Sequence, residues 1–287
     1  DWNIPYMKPR YNGGGNCVHW ISDIKLSPFD SDTALFNTGT GLFMITGLAS
    51  GDVLVKPFCE GIEETVHLNV YTTPHGRNRI IDIIGDLGGF AFEDYDSECE
   101  NSFANENGDR YITCLNADLT LSDPEYIVAT PRGNWTGKTK GGLILSKDCG
   151  STWERLPMPR GLSEFIDKKL DNIEKPNVDS GWTAISADGK RIMWAVAGGR
   201  GFSNKAVCYT DDEGKTWQKS IFTDSSGNSA DEHNVKIFSD YYNSDLFFAI
   251  AERGNLGLYI SRDKGATFRE VSISILACKR HKGTLPL

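Results

Sequence analysis

Apolar and β-branched residues occur along this chain in short runs, each broken within a few residues by a polar turn rich in Gly, Asp, Asn or Pro. Residues 116–131 (NADLTLSDPEYIVATP), 181–198 (GWTAISADGKRIMWAVAG) and 234–252 (NVKIFSDYYNSDLFFAIAE) each read as strand, polar turn, strand. A third apolar run follows each of them: GGLILS, KAVCYT and GLYIS. Residues 21–45 have the same shape, and 66–92 read as a further unit, which makes about five units of uneven length. One stretch departs from the strand pattern. Residues 161–175 (GLSEFIDKKLDNIEK) predict a helix with Ser163 as N-cap, placed between two units as a rim insertion.

Three of the units end on one repeated phrase. SKDCGSTW (146–153), TDDEGKTW (210–217) and SRDKGATF (261–268) share the frame Ser/Thr-x-Asp-x-Gly-x-Thr-aromatic. An Asp side chain accepts from backbone N–H groups nearby and holds a turn, and Gly supplies a positive φ. The Thr and aromatic then start the return strand, and the aromatic buries a large apolar area. These aspartates therefore read as structural, and Trp153 and Trp217 as core. Four short strands per unit, repeated around an axis, predict an all-β β-propeller with aspartate-box repeats. Its expected limits are 17–276, after an N-terminal segment 1–16 that ends a preceding propeller and before a tail, 277–287.

Composition narrows the function classes. With 30 basic and 39 acidic residues the chain carries a net charge of −9, and no basic stripe interleaves with aromatics, so nucleic acid is excluded as a partner. No apolar run reaches the roughly 18 residues of a membrane span. DWNIPYMKPR at the start lacks a signal-peptide profile. The seven Cys and five His show no zinc-like spacing, so neither metal nor cofactor is expected. Cys99 and Cys114 bracket a polar loop that a disulfide would close, whereas Cys149 and Cys208 read as packing residues. The NWT sequon at Asn134 leans toward secretion.

The candidate chemistry centres on RIIDIIGDLGGF (79–90), a buried-type strand that ends on Asp86 and is followed by Gly88 and Gly89. A carboxyl at the end of an apolar strand is expected to be partly desolvated, as suits a general acid. The paired glycines would let a substrate approach the backbone. From spacing alone Asp86 reads equally as a turn aspartate.

The segments VHWISDIKLSPFDSDTALFNTGTGLFMI, GIEETVHLNVYTTP, IIGDLGGFAFEDYD and TAISADGKRIMWAVAG, with the three aspartate boxes, resemble glycoside hydrolase family 74 in content and order, from about Cys17 to about Val271. The boxes also occur in sialidases and sortilin-like receptors, whereas GIEETV followed by GDLGGF is far more specific. The resemblance implies two seven-bladed propellers facing each other across a cleft that holds xyloglucan, a β-1,4-glucan. Cleavage there inverts the anomeric centre through two Asp residues, one per propeller. This chain resembles the second propeller, incomplete, and its GDLGGF puts Asp86 in the place of the general acid. The first propeller's R-T-D-I-G-G motif has no counterpart here, so a second propeller domain would complete the cleft and supply the base.

Substrate contacts follow from the same segments. Trp194 in RIMWAVAG is the preferred sugar platform, with His19 and Trp20 after it and Trp135 as a further candidate. Glu63 and Glu64 would bond sugar hydroxyls or order the loop beside Asp86. Asp82, Glu63, Glu64 and Asp94 are the acids nearest Asp86 in sequence. The leading expectation is a secreted xyloglucan hydrolase or its acid-bearing half. The alternatives are a polysaccharide-binding propeller without catalysis and a receptor-like propeller that uses the boxes only as turns.

Overall fold

The computed structural model describes residues 20–39, 41–59, 65–97, 102–159, 179–196, 207–230, 235–252 and 256–271. The described residues form twenty strands in five sheets and contain no helix. The expected helix at 161–175 lies outside them, as do His19, Glu63, Glu64, Cys17, Cys99 and Cys278.

The first sheet contains β1 (Asp23–Leu26), β2 (Ala34–Thr38), β3 (Gly41–Thr46) and β4 (Leu54–Pro57). The second has three strands: β5 (Val66–Thr72), β6 (Ile80–Gly85) and β7 (Gly88–Phe92). The third holds β8 (Cys114–Leu119), β9 (Ile127–Pro131), β10 (Ile144–Ser146) and β11 (Glu154–Arg155). The fourth holds β12 (Trp182–Ile185), β13 (Ile192–Ala195), β14 (Val207–Thr210) and β15 (Gln218–Lys219). The fifth comprises β17 (Lys236–Ser239), β18 (Phe247–Glu252), β19 (Leu256–Ser261) and β20 (Thr267–Glu270), with β16 (Ile221–Thr223) added parallel to β20. Within each sheet, sequence neighbours pair antiparallel. The five sheets match the five expected units.

Three apolar cores lie between consecutive sheets. Ile81, Ile83, Phe103, Ala117, Ile127 and Trp153 fill the space between the second and third. Val128, Leu145, Leu156, Ile185, Ile192 and Trp194 fill that between the third and fourth. Met193, Tyr209, Phe247, Tyr259 and Phe268 are among those that fill the next. A strand covered on both sides reads as a continuous apolar run, as in IMWA of β13, where every residue is buried.

The first strands of the third, fourth and fifth sheets lie side by side. Asn116 Oδ1 accepts from the Thr183 N–H at 2.8 Å, and Asp118 Oδ2 accepts from the Ile185 N–H at 2.9 Å, so β8 and β12 run in the same direction. Ser239 Oγ of β17 donates to the same Asp118 oxygen at 2.7 Å. One carboxylate thereby ties three sheets together.

The three repeated turns share one hydrogen-bond set. Asp148 accepts through Oδ1 from the Thr152 N–H (2.8 Å) and through Oδ2 from Thr152 Oγ1 (2.6 Å), while Ser146 Oγ accepts from the Gly150 N–H (2.8 Å). Asp212 with Thr216 and Asp263 with Thr267 repeat the arrangement. The acceptor thus reaches four residues on, further than the ordinary Asx turn. Two successive residues take positive φ in each: Cys149 and Gly150, Glu213 and Gly214, Lys264 and Gly265. Trp153 is core, as expected, but Trp217 is only partly buried. Cys114 is a buried free thiol, not half of a bridge, and burial pushes its pKa up to about 12.

Candidate functional site at the Asp86 turn

β6 is buried over Ile81–Ile84, apolar there except for Asp82, and it is flanked by β5 and β7. It ends because Asp86 adopts φ 62°. Asp and Asn tolerate this left-handed region better than other side-chain-bearing residues. The turn is pinned from outside its own sheet, since the Asp86 backbone N–H donates to Thr113 Oγ1 at 2.9 Å. Thr113 is buried, and it also bridges Gly88 in parallel register.

Asp86 itself is exposed, so these residues do not desolvate its carboxylate as the sequence led us to expect. The two glycines also differ from expectation, because both are buried and face protein. A Cβ on Gly88 would lie 2.8 Å from the Tyr111 carbonyl oxygen, at a φ of 85°. One on Gly89 would lie 2.6 Å from the Phe103 ring. They permit close packing of β7 against the β7–β8 connection rather than approach of a substrate.

Trp194 requires a larger correction. Its side chain is fully buried, its Nε1 donates to the Ser180 carbonyl at 2.6 Å, and its ring packs 5.9 Å from that of Trp217. It is a core residue and presents no face to a sugar. Trp20 is 84% exposed, with φ 57°, and heads the first sheet, apart from the sheet that carries Asp86. Trp135, which the sequence ranked lower, is 63% exposed in the β9–β10 connection. In an antiparallel meander the second-to-third-strand connections emerge at one end and the aspartate turns at the other. β7 and Thr113 are in parallel register and β8 and β12 run alike, so Asp86 and Trp135 occupy the same end of neighbouring sheets.

One strand over, the structure assembles a group that the sequence did not reveal. Asp82 on β6 is buried, and its Oδ2 lies 2.8 Å from His67 Nδ1 on β5. Burial raises the Asp82 pKa, against the opposing pull of the His67 hydrogen bond and charge. His67 Nε2 lies 2.6 Å from Thr65 Oγ1. Asp82 was noted only as an acid near Asp86 in sequence. The pairing depends on strand register, including a β-bulge between His67 and Asn69 that re-aims the imidazole.

The fold and site together define a propeller-type, all-β protein that presents the Asp86 carboxylate on a turn of positive φ. No protein-family model matches the chain. Its curated relatives are xyloglucanases. One from a Paenibacillus species is 25% identical over 258 residues, which is 88% of this chain and 22% of the relative. Another, from Acetivibrio thermocellus, is 25% identical over 94% of this chain and 28% of its own length. An oligoxyloglucan-reducing end-specific xyloglucanase from Emericella nidulans is 25% identical over 93% of this chain and 32% of its own. Among solved structures, the family 74 xyloglucanase from Xanthomonas campestris superposes with a TM-score of 0.64 at 22% identity, covering 90% of this chain and 32% of the other. The family 74 enzyme of Niastella koreensis gives 0.62 at 20% identity, over 90% and 31%. The chain therefore resembles glycoside hydrolase family 74 along most of its length, and it spans about a quarter to a third of the relatives it matches.

Proposed function

We propose that this chain is the acid-bearing part of a glycoside hydrolase that cleaves xyloglucan with inversion, with Asp86 as the general acid. The observation that carries the reading is the turn itself. A carboxylate is held exposed at a positive φ, in a turn that the Thr113 hydrogen bond and the packed glycines fix in place. The similarity to xyloglucanases supplies the substrate class. An inverting enzyme also needs a base roughly 6.5–9.5 Å from the acid. We assign that base to a second propeller domain across the cleft, and we read the sheets described here as part of a seven-bladed ring. Trp135 replaces Trp194 as the sugar platform beside Asp86, and Trp20, on the first sheet, is kept as a further candidate. His19, Glu63 and Glu64 keep their proposed roles in binding. The aspartate boxes remain turns, and the setting is extracellular.

Reducing-end release from xyloglucan tests the reading. This chain alone should release none, and joined to a first propeller of the family type it should become active. Asp86→Asn should abolish that activity, by at least the roughly 10²–10⁴-fold ascribed to general acid catalysis, and leave retention on xyloglucan in place. Retention without activity in the joined form would favour a binding module. Full activity of Asp86→Asn would remove Asp86 from the mechanism.

A further inference from the structure

Thr65, His67 and Asp82 form a hydroxyl–imidazole–carboxylate chain with the geometry of a nucleophile, its base and the group that orients the base. The two links are 2.6 Å and 2.8 Å. Asp82 is only 6% exposed, its second oxygen is buried with no hydrogen-bond partner among the described residues, and a carboxylate can only accept. The proton of a neutral imidazole therefore resides on Nδ1, facing Asp82. Nε2 is left as the acceptor for the Thr65 hydroxyl.

The setting is open to a substrate. His67 is half exposed and Thr65 half buried, and Val66 pairs with Gly85, which places Thr65 beside the Asp86 turn. Among the described residues β5 is the edge of its sheet, so alternate backbone N–H groups along it point away from β6 and can receive a carbonyl oxygen. The geometry points to a second active centre, in which Thr65 is an acylatable nucleophile and His67 its general base, acting on carboxylic esters. This centre does not depend on the role of Asp86.

The step balances without a cofactor. Thr65 Oγ1 attacks the ester carbonyl carbon and its proton passes to His67 Nε2. The carbonyl electron pair moves to oxygen, then returns as the bond to the leaving alcohol breaks, and the alcohol takes the proton from Nε2. Water repeats the sequence on acyl-Thr65, releases the carboxylic acid and restores the hydroxyl.

The test uses the 287-residue chain and p-nitrophenyl acetate. We expect nitrophenolate release together with one acetyl group on the peptide that contains Thr65, found by mass spectrometry after an acid quench. Thr65→Ala should lose both signals and Thr65→Ser should retain them. His67→Gln, at a half-exposed position that tolerates the change, should slow release by roughly 10²-fold or more. Asp82→Asn should act in the same direction, and circular dichroism would confirm that each variant is folded. Acetyl found on lysines alone, or unchanged hydrolysis by folded Thr65→Ala, would overturn the proposal.

Discussion

The backbone N–H of Asp86 donates to the side-chain oxygen of Thr113, a residue beyond the end of Asp86's own sheet and one position before the first strand of the next. The turn that presents the carboxylate is therefore positioned by the end of the β7–β8 connection, where it enters the neighbouring sheet. Thr113→Val keeps the shape and removes the acceptor. It should cost about 1 kcal/mol, the net worth of an ordinary hydrogen bond, read as a lower urea midpoint. If Asp86 is the acid, the joined two-propeller form should lose activity by more than this loss of stability explains. Unchanged activity would mean that the turn holds its shape without the bond.

Gly214 tests the aspartate turns. It stands at φ 82°, and a Cβ there would lie 3.1 Å from the Pro157 carbonyl oxygen and 3.3 Å from Trp217 Nε1. Gly214→Ala should destabilise the fold by on the order of 1 kcal/mol or more, because Ala is forced into positive φ. The turn lies at the end of the sheets away from Asp86, so retention on xyloglucan should not change in the folded fraction. A variant as stable as the parent would show that the turn relaxes to another geometry.

The legible parts of this fold and the missed ones have a common physical cause. Five units and three turns were readable because strand alternation and turn chemistry are local. The misplacement of Trp194 came from taking its place from the family resemblance, in a segment just before a glycine-rich loop. In stacked sheets both faces of the IMWA strand are covered, so Met193 enters one core and Trp194 the next. The unbroken apolar run carried that signal. Gly88 and Gly89 were read as space for a ligand, whereas Tyr111 and Phe103 occupy the space, and no local pattern reports what packs against a glycine. The His67–Asp82 pair depends on register and a bulge, which become visible only once β5 and β6 are aligned.

The two tryptophans should separate cleanly. Trp194→Ala removes a fully buried ring and its hydrogen bond to Ser180, and should cost about 3–5 kcal/mol by thermal or urea unfolding. Trp135→Ala removes an exposed ring and should stay within about 0.5 kcal/mol of the parent. Only Trp135→Ala should weaken retention on xyloglucan without loss of fold. Equal retention by both variants would leave this end of the sheets without an aromatic platform.

Asp118 should give the fold a pH dependence of definite sign. Its carboxylate sits where β8, β12 and β17 meet, and burial raises its pKa from 3.8 to about 6, despite hydrogen bonds from the Ile185 and Leu119 N–H groups and the Ser239 hydroxyl. In the unfolded chain the group titrates near 3.8, so between 3.8 and about 6 the folded state holds the extra proton. Stability must then fall as pH rises through that window. The contribution of this group is fully present below 3.8 and is lost above about 6. Its size is on the order of 3 kcal/mol, at about 1.4 kcal/mol per pH unit. Asp118→Asn is neutral in both states and should remove this component. Urea unfolding of parent and variant at a series of pH values from about 4 to 7 reads the difference directly. The variant should lose stability from the altered bonding to Ile185 and Ser239, but its gap from the parent should narrow as pH rises. A gap independent of pH would show that Asp118 ionises as freely in the fold as outside it, and the junction of three sheets would then owe nothing to its proton.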